Sequence, residues 1–168
     1  MKDFKTMLLD GSLVPQVNEV LHKEIINDLT SLRNIASPLI QQHPDVEKFY
    51  TLYLDAKNRL LLLEPSFNGS LTGCSVYPRE IVKKALEVGA AAIIVFHNHP
   101  SGDLTPSKAD ILITKRIIMA ANLLEITLHD HVICSTTNYY SMSEDGIINT
   151  LKREWKNFLW NTEETENI

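Results

Sequence analysis

Between Gly89 and His97 the chain carries Ala90 to Phe96, seven apolar residues without a break. A run of that length fits a strand buried on both faces, the kind found at the centre of a helix-covered sheet. The neighbouring segments supply the rest of such a sheet. From Pro15 to Ile35, residues Val17, Val20, Leu21, Ile25, Leu29, Leu32 and Ile35 recur at spacings of three and four, which predicts one amphipathic helix stopped by Ser37-Pro38. Lys48 to Asp55 and Arg59 to Leu63, joined by the turn Asp55-Ala56-Lys57-Asn58, predict a β-hairpin. Ser66 to Tyr77 reads as irregular or strand, punctuated by Gly69 and Gly73. Pro78 then opens a helix with Ile81, Val82, Ala85 and Leu86 as its buried face and Gly89 as its cap.

Beyond the apolar run, Thr105-Pro106 predicts the start of a further helix through Ile111, Leu112, Ile118, Ala121 and Leu124. Strands are expected over Ile126 to Cys134 and Tyr139 to Met142. Asp145-Gly146 turns into a last helix with the face Ile148, Leu151, Trp155, Phe158 and Leu159, followed by an acidic tail from Asn161 expected to be disordered. The fold class is α/β (α+β): a single domain with a mixed central sheet flanked by helices. The expected division is an N-terminal helical segment over 1–40, the main domain over 41–148, and a helix with its tail over 149–168.

Composition narrows the function. A chain of 168 residues with 44 % hydrophobic content buries about 70 % of its unfolded surface, so it needs no metal merely to fold. Any metal is then there for chemistry. The net charge of −5 argues against a surface that grips nucleic acid through its phosphates. Cys74 and Cys134 stand far apart with no CxxC, which suggests neither a disulfide framework nor a thiolate zinc site, and a reducing cytoplasm is the expected location. Met1 to Gly11 lack the apolar core of a signal peptide, and no run approaches the roughly 18 apolar residues of a membrane span.

The chemistry concentrates in His97-Asn98-His99-Pro100-Ser101-Gly102, followed by Pro106-Ser107-Lys108-Ala109-Asp110. Side chains two apart at a strand end share a side, with backbones roughly 6.5 Å apart, so two imidazoles can converge on one ion. A catalytic zinc takes three protein ligands and keeps one position for water. Asp110 is the natural third ligand. Ser107 lies three residues before it, in a first helical turn that favours developing negative charge. Alone, a Ser-x-x-Asp at a helix start is a capping pattern and a strand-end histidine is structural; it is their combination that points to a metal. Amidohydrolase barrels need about 250 residues, and nucleobase deaminases need a downstream cysteine pair, which excludes both. A second pair, His129-Asp130-His131, lies inside a predicted strand with no following Ser-x-x-Asp. Its members read as core or hydrogen-bonding groups behind the ligands.

These motifs resemble the JAMM (MPN+) metalloprotease pattern, in its RadC-like form. Further matches are Phe49 to Asn58 (FYTLYLDAKN), Gly69-Ser70-Leu71, Pro78-Arg79-Glu80, Asp130-His131 and Tyr140-Ser141, so the resemblance covers about Glu47 to Ile148. It implies a JAB1/MPN, cytidine-deaminase-like architecture, with His97, His99 and Asp110 as Zn2+ ligands and Ser107 as the hydroxyl on the oxyanion side. It also implies an upstream glutamate as general acid and base. Glu47 is its best match, with Glu64 and Glu80 as alternatives. The implied reaction is hydrolysis of a peptide or isopeptide amide by metal-activated water, on a protein or peptide substrate and away from membranes. The different reading is a binding protein tied to DNA repair or mobile elements, with a structural or vestigial metal. Fewer than fifty residues precede Glu47, without the helix-hairpin-helix module often found in such proteins, and this weakens the DNA reading. A third reading, an assembly protein docking through the Val17 to Ile35 helix, competes with that helix simply covering its own sheet. His129 stands where leucine is usual. Substrate identity and oligomeric state are not legible.

Overall fold

The computed structural model describes residues 13–42, 44–68 and 76–163. In chain order its elements are α1 (Leu13–Leu21), α2 (Leu29–Gln41), β1 (Lys48–Leu54), β2 (Leu60–Asn68), α3 (Pro78–Val88), β3 (Ala92–Asn98), α4 (Lys108–Asn122), β4 (Thr127–Cys134), β5 (Tyr139–Ser141) and α5 (Ile147–Glu163). Among the described residues the strands form one mixed sheet in the order β2-β1-β3-β4-β5. Only β3 and β4 run parallel. Gly69-Ser70-Leu71, Cys74 and the last residues of the acidic tail lie outside the described residues.

The apolar run becomes the central strand, with every residue of β3 buried. Its alternation divides the core in two. Ile93 and Val95 face Phe49, Tyr53 and the helices α3, α4 and α5. Ile94 and Phe96 face Leu32, Ile35, Leu39 and Ile40 of α2. α1, through Val14 and Leu21, and α2 therefore cover one face, and α3, α4 and α5 cover the other.

The N-terminal segment departs from the single helix its spacing predicts. Lys23 takes a φ of +69°, which ends α1. The following residues then hydrogen-bond along β2: Lys23 N–H donates to Leu60 O (2.8 Å), Leu60 N–H to Glu24 O (2.8 Å) and Ile26 N–H to Asn58 O (2.9 Å). The Asn18 amide brackets Leu63, donating to its carbonyl (2.7 Å) and accepting from its N–H (2.6 Å). Val20 and Ile25 consequently stay exposed. α2 restarts behind its cap Asp28 and runs through Pro38 instead of stopping there. An interior proline costs about 3 kcal/mol. Leu39 and Ile40, fully buried just beyond it, recover about 1.5–3 kcal/mol each, so the helix continues.

Elsewhere the corrections are local. α3 starts at Pro78 and ends at Gly89, whose φ of +70° a side chain would strain, but Leu86 points away from the core. Among the α5 residues, Ile148, Leu151 and Trp155 are buried while Phe158 is exposed and stacks on Trp155. α4 begins after Ser107, not at Thr105-Pro106, because Ser107 and Asp110 close a reciprocal capping box. No helix among the described residues is long and apolar enough to cross a membrane.

Candidate metal centre

Four segments meet at the carboxyl end of β3. The strand delivers His97 with no exposed surface. His99 lies one residue past its end, where the turn Pro100-Ser101-Gly102 reverses the chain; Gly102 adopts a φ of +77° and donates its N–H to His99 O (2.9 Å). α4 presents Asp110 from its first turn. Its Oδ2 accepts from Ser107 N–H (2.7 Å), while Ser107 Oγ accepts from Asp110 N–H (3.1 Å). The cap thus orients the carboxylate, and the capping and metal readings of Ser-x-x-Asp both hold for the same residues. His97, His99 and Asp110 bring one ligand atom each within 4.8 Å of one another, an arrangement that could hold a metal ion.

The protons can be placed from the hydrogen-bond partners. Thr114 Oγ1 lies 2.5 Å from the Asp110 carbonyl, which only accepts, so the hydroxyl donates there. Its oxygen then accepts from His131 Nδ1–H (2.6 Å). That leaves His131 Nε2 as a lone pair, 2.8 Å from His97 Nδ1, which must carry the proton. His97 Nε2 is left bare. His99 reaches the same state in one step, its Nδ1–H donating to the Asp103 carbonyl (2.6 Å). The two Nε2 atoms stand 2.9 Å apart, with Asp110 Oδ1 3.3 Å from the first and Oδ2 3.4 Å from the second. Two lone pairs and a carboxylate facing one point repel unless positive charge lies between them. Asp110 Oδ1, moreover, is wholly buried without a hydrogen-bond partner. An orphaned buried acceptor costs about 1–3 kcal/mol, and a cation held by these three residues would remove the deficit.

The electrostatics describe the metal-free site, where a proton supplies the positive charge that these groups call for. Burial alone would raise the Asp110 carboxyl, but the two imidazoles and the Ser107 cap bring it well below the usual carboxylate range. The bond to Asp110 raises His99, opposed by burial and helped by the Asp103 carbonyl, Asp110's charge and the charge of Glu47. His131 moves the other way: complete burial, with His97 beside it, holds it well below an ordinary imidazole, so it stays neutral. Phe49 walls the site, stacked on His97 at 5.8 Å and edge-on to His131 at 5.4 Å.

The three glutamates separate. Glu47 is half-buried immediately before β1, whose register pairs Phe49 with His97 and so carries the chain past His99. Glu64 accepts from Tyr53 Oη (3.1 Å) on β2, and Glu80 pairs with Arg79 at the start of α3. His129 and His131 do not act together. Thr114, fully buried, belongs to the site's support and was not anticipated; its i+4 spacing from Asp110 is the signal that could have found it. Cys134 is a buried free thiol, pushed up to about 12 by burial and by Asp130.

Residues 26–147 match the family model of the RadC-like JAB domain. The chain is similar to the UPF0758 protein of Variovorax paradoxus (strain S110), 48 % identical over 102 residues, covering 61 % of this chain and 45 % of that one. It is 47 % identical over 102 residues to the UPF0758 protein YfjY of Escherichia coli (strain K12), again 61 % of this chain, and 64 % of that one. Against the UPF0758 protein NTHI1125 of Haemophilus influenzae (strain 86-028NP) it is 44 % identical over 130 residues, covering 77 % and 58 % of the two chains. The match spans less than two thirds of each of these relatives.

Proposed function

Because the chain belongs to the RadC-like JAB domain family, we propose that it is a zinc-dependent hydrolase of the JAMM type, cutting a peptide or isopeptide amide in the cytoplasm. The observation that supports this best is the pair of Nε2 atoms, 2.9 Å apart, facing the orphaned oxygen of Asp110. His97 Nε2, His99 Nε2 and the Asp110 carboxylate would hold the ion, a three-residue donor set that suits a catalytic rather than a structural zinc. Bound there, zinc supplies a Lewis acid that makes water acidic near neutral pH and polarises a carbonyl.

The remaining work falls to this chain's own residues. Glu47 takes the proton from the attacking water and returns it to the leaving amine, so one carboxylate serves as base and then as acid. Ser107 uses its oxygen to cap α4, which leaves its hydroxyl proton to donate to the oxyanion. A preorganised donor of this kind is worth about 10² to 10³ in rate. His131, Thr114 and Asp103 keep the two imidazoles in the tautomer that presents Nε2. Phe49 excludes water behind them.

Elemental analysis of protein purified without added metal should find about one zinc per chain, and little in the His97→Ala/His99→Ala double variant. Equal contents would reject the site. Glu47→Gln should keep the zinc and lose the hydrolysis of a peptide amide; unchanged turnover would move the proton to another group. A second reading, binding of nucleic acid, has support at one place, where Lys152, Arg153 and Lys156 line a single hollow on α5. Retention of single-stranded DNA that weakens with salt would favour it.

A further inference from the structure

Asn98 lies between the two histidines and is buried, at 1 % exposure. Its Oδ1 accepts from Lys48 N–H at 2.9 Å, and its Nδ2 donates to Val46 O at 3.1 Å. Those backbone groups belong to the two residues on either side of Glu47. The main-chain register of β1 with β3 reaches Phe49 opposite His97, beyond which Asn98's amide takes over the role of a paired strand. The segment holding Glu47 is thus clasped by a residue of the same three that carry both imidazoles. A planar amide donating on one side and accepting on the other fixes both distance and rotation of that segment; a hydroxyl or a methyl would fix neither.

We propose that Asn98 is a positioning residue for Glu47: it locks the backbone at 46–48 to the metal-binding strand so that the carboxylate stands at a fixed offset from His97 and His99. This rests on the hydrolase reading above. The consequence is mechanical coupling, since whatever moves β3 moves the base and both imidazoles together. Misplacement of a catalytic group by an ångström costs about 100-fold in rate.

The test is a double-mutant cycle of Asn98→Ala and Glu47→Gln, read on a quenched-fluorescent peptide carrying one lysine isopeptide bond. Asn98→Ala should lower kcat about 10- to 100-fold, with KM and zinc content unchanged, and should lower no further the residual slow rate of the Glu47→Gln protein, read over long incubation at high enzyme concentration. An equal fall in both backgrounds, a parallel loss of zinc, or an unchanged kcat would overturn the proposal. Asn98→Asp, nearly isosteric, keeps the acceptor for Lys48 N–H and loses the donor to Val46 O. It should give a smaller loss of the same kind, and it serves if the alanine variant does not fold. A readout independent of turnover separates this claim from the hydrolase reading. In zinc-free protein, exchange of the Lys48 amide should speed up about tenfold in Asn98→Ala, and the Glu47 backbone amide should gain motion by ¹⁵N relaxation. A Glu47 amide as ordered in the variant as in the parent would sink the positioning role, whether or not the peptide is cut.

Discussion

His97-Asn98-His99 and His129-Asp130-His131 lie in neighbouring parallel strands of one sheet, with the same residue spacing, and they end in opposite arrangements. In the first, the imidazoles meet at 2.9 Å. In the second, the ladder slips between Ile93 and Ile94: Ile93 pairs with Leu128 and Ile94 with Asp130, so His129 is an extra, bulged residue. The bulge sends His129 to the α2 side, where it meets Asn58 Oδ1 at 2.9 Å and lines a hollow with Ile26, Leu29 and Leu32. His131 keeps the α4 side, under His97. One inserted residue thus splits a pair that strict alternation would have aligned. Position along the strand matters as well. The first pair stands at the end of its strand, where a turn bends His99 inward, whereas His131 is enclosed and serves as support.

That contrast can be broken, first by removing one histidine from each pair. His99→Ala should weaken zinc binding more than about 100-fold, while His129→Ala should leave it within about twofold, measured by competition with a fluorescent chelator. Equal losses would erase the distinction. A second, smaller effect concerns the support. Thr114→Val removes the acceptor that sets the His131 tautomer, so zinc affinity should fall about tenfold and unfolding stability by about 1–3 kcal/mol, with Thr114→Ser restoring both. Zinc titrations and urea melts on the same samples test whether the second pair supports the first at all.

Acidity sharpens the same contrast. His99 is raised above 6.5, chiefly by Asp110, and its proton must leave before a cation binds. Zinc affinity should therefore fall as pH drops through that raised value and level off above it. In metal-free protein the sign reverses: the protonated His99 contributes stability fully below 6.5, and this is lost as pH rises through its folded value. His131, lowered by burial, contributes stability above 6.5 that is lost as pH falls toward its depressed value. A zinc affinity flat between about pH 5 and 7.5 would mean that His99 is not the competing base. The smallest effect is expected for His129→Leu, within about 1 kcal/mol by thermal melting and without change in zinc affinity.

The central strand, the hairpin turn at Asp55 to Asn58, the caps at Gly89 and the triad were legible because each rests on local chemistry: an unbroken apolar run, a turn composition, a positive-φ glycine, donors at short spacing. What was not legible depends on distant partners. The break at Lys23 follows from hydrogen bonds to Leu60, thirty-seven positions away by the difference of their numbers, and no periodicity within 17–35 contains it. The helix passes Pro38 because Leu39 and Ile40 find a sheet to bury against. The bulge at His129 is set by pairing with β3, and the tasks of Thr114 and Asn98 exist only once four segments have assembled.

The clasp that Asn18 and residues 23–26 place on β2 also occupies backbone groups that an exposed strand edge would offer to another chain. The margin there is already occupied: Leu60 and Leu63 spend their outward backbone groups internally, and Pro65 has no N–H to offer a newcomer. At the far margin β5 spans three residues. Among the described residues, edge-to-edge growth between molecules, a route to insoluble fibres, is left with little template at Leu60, Leu63 and Pro65 or along the short β5.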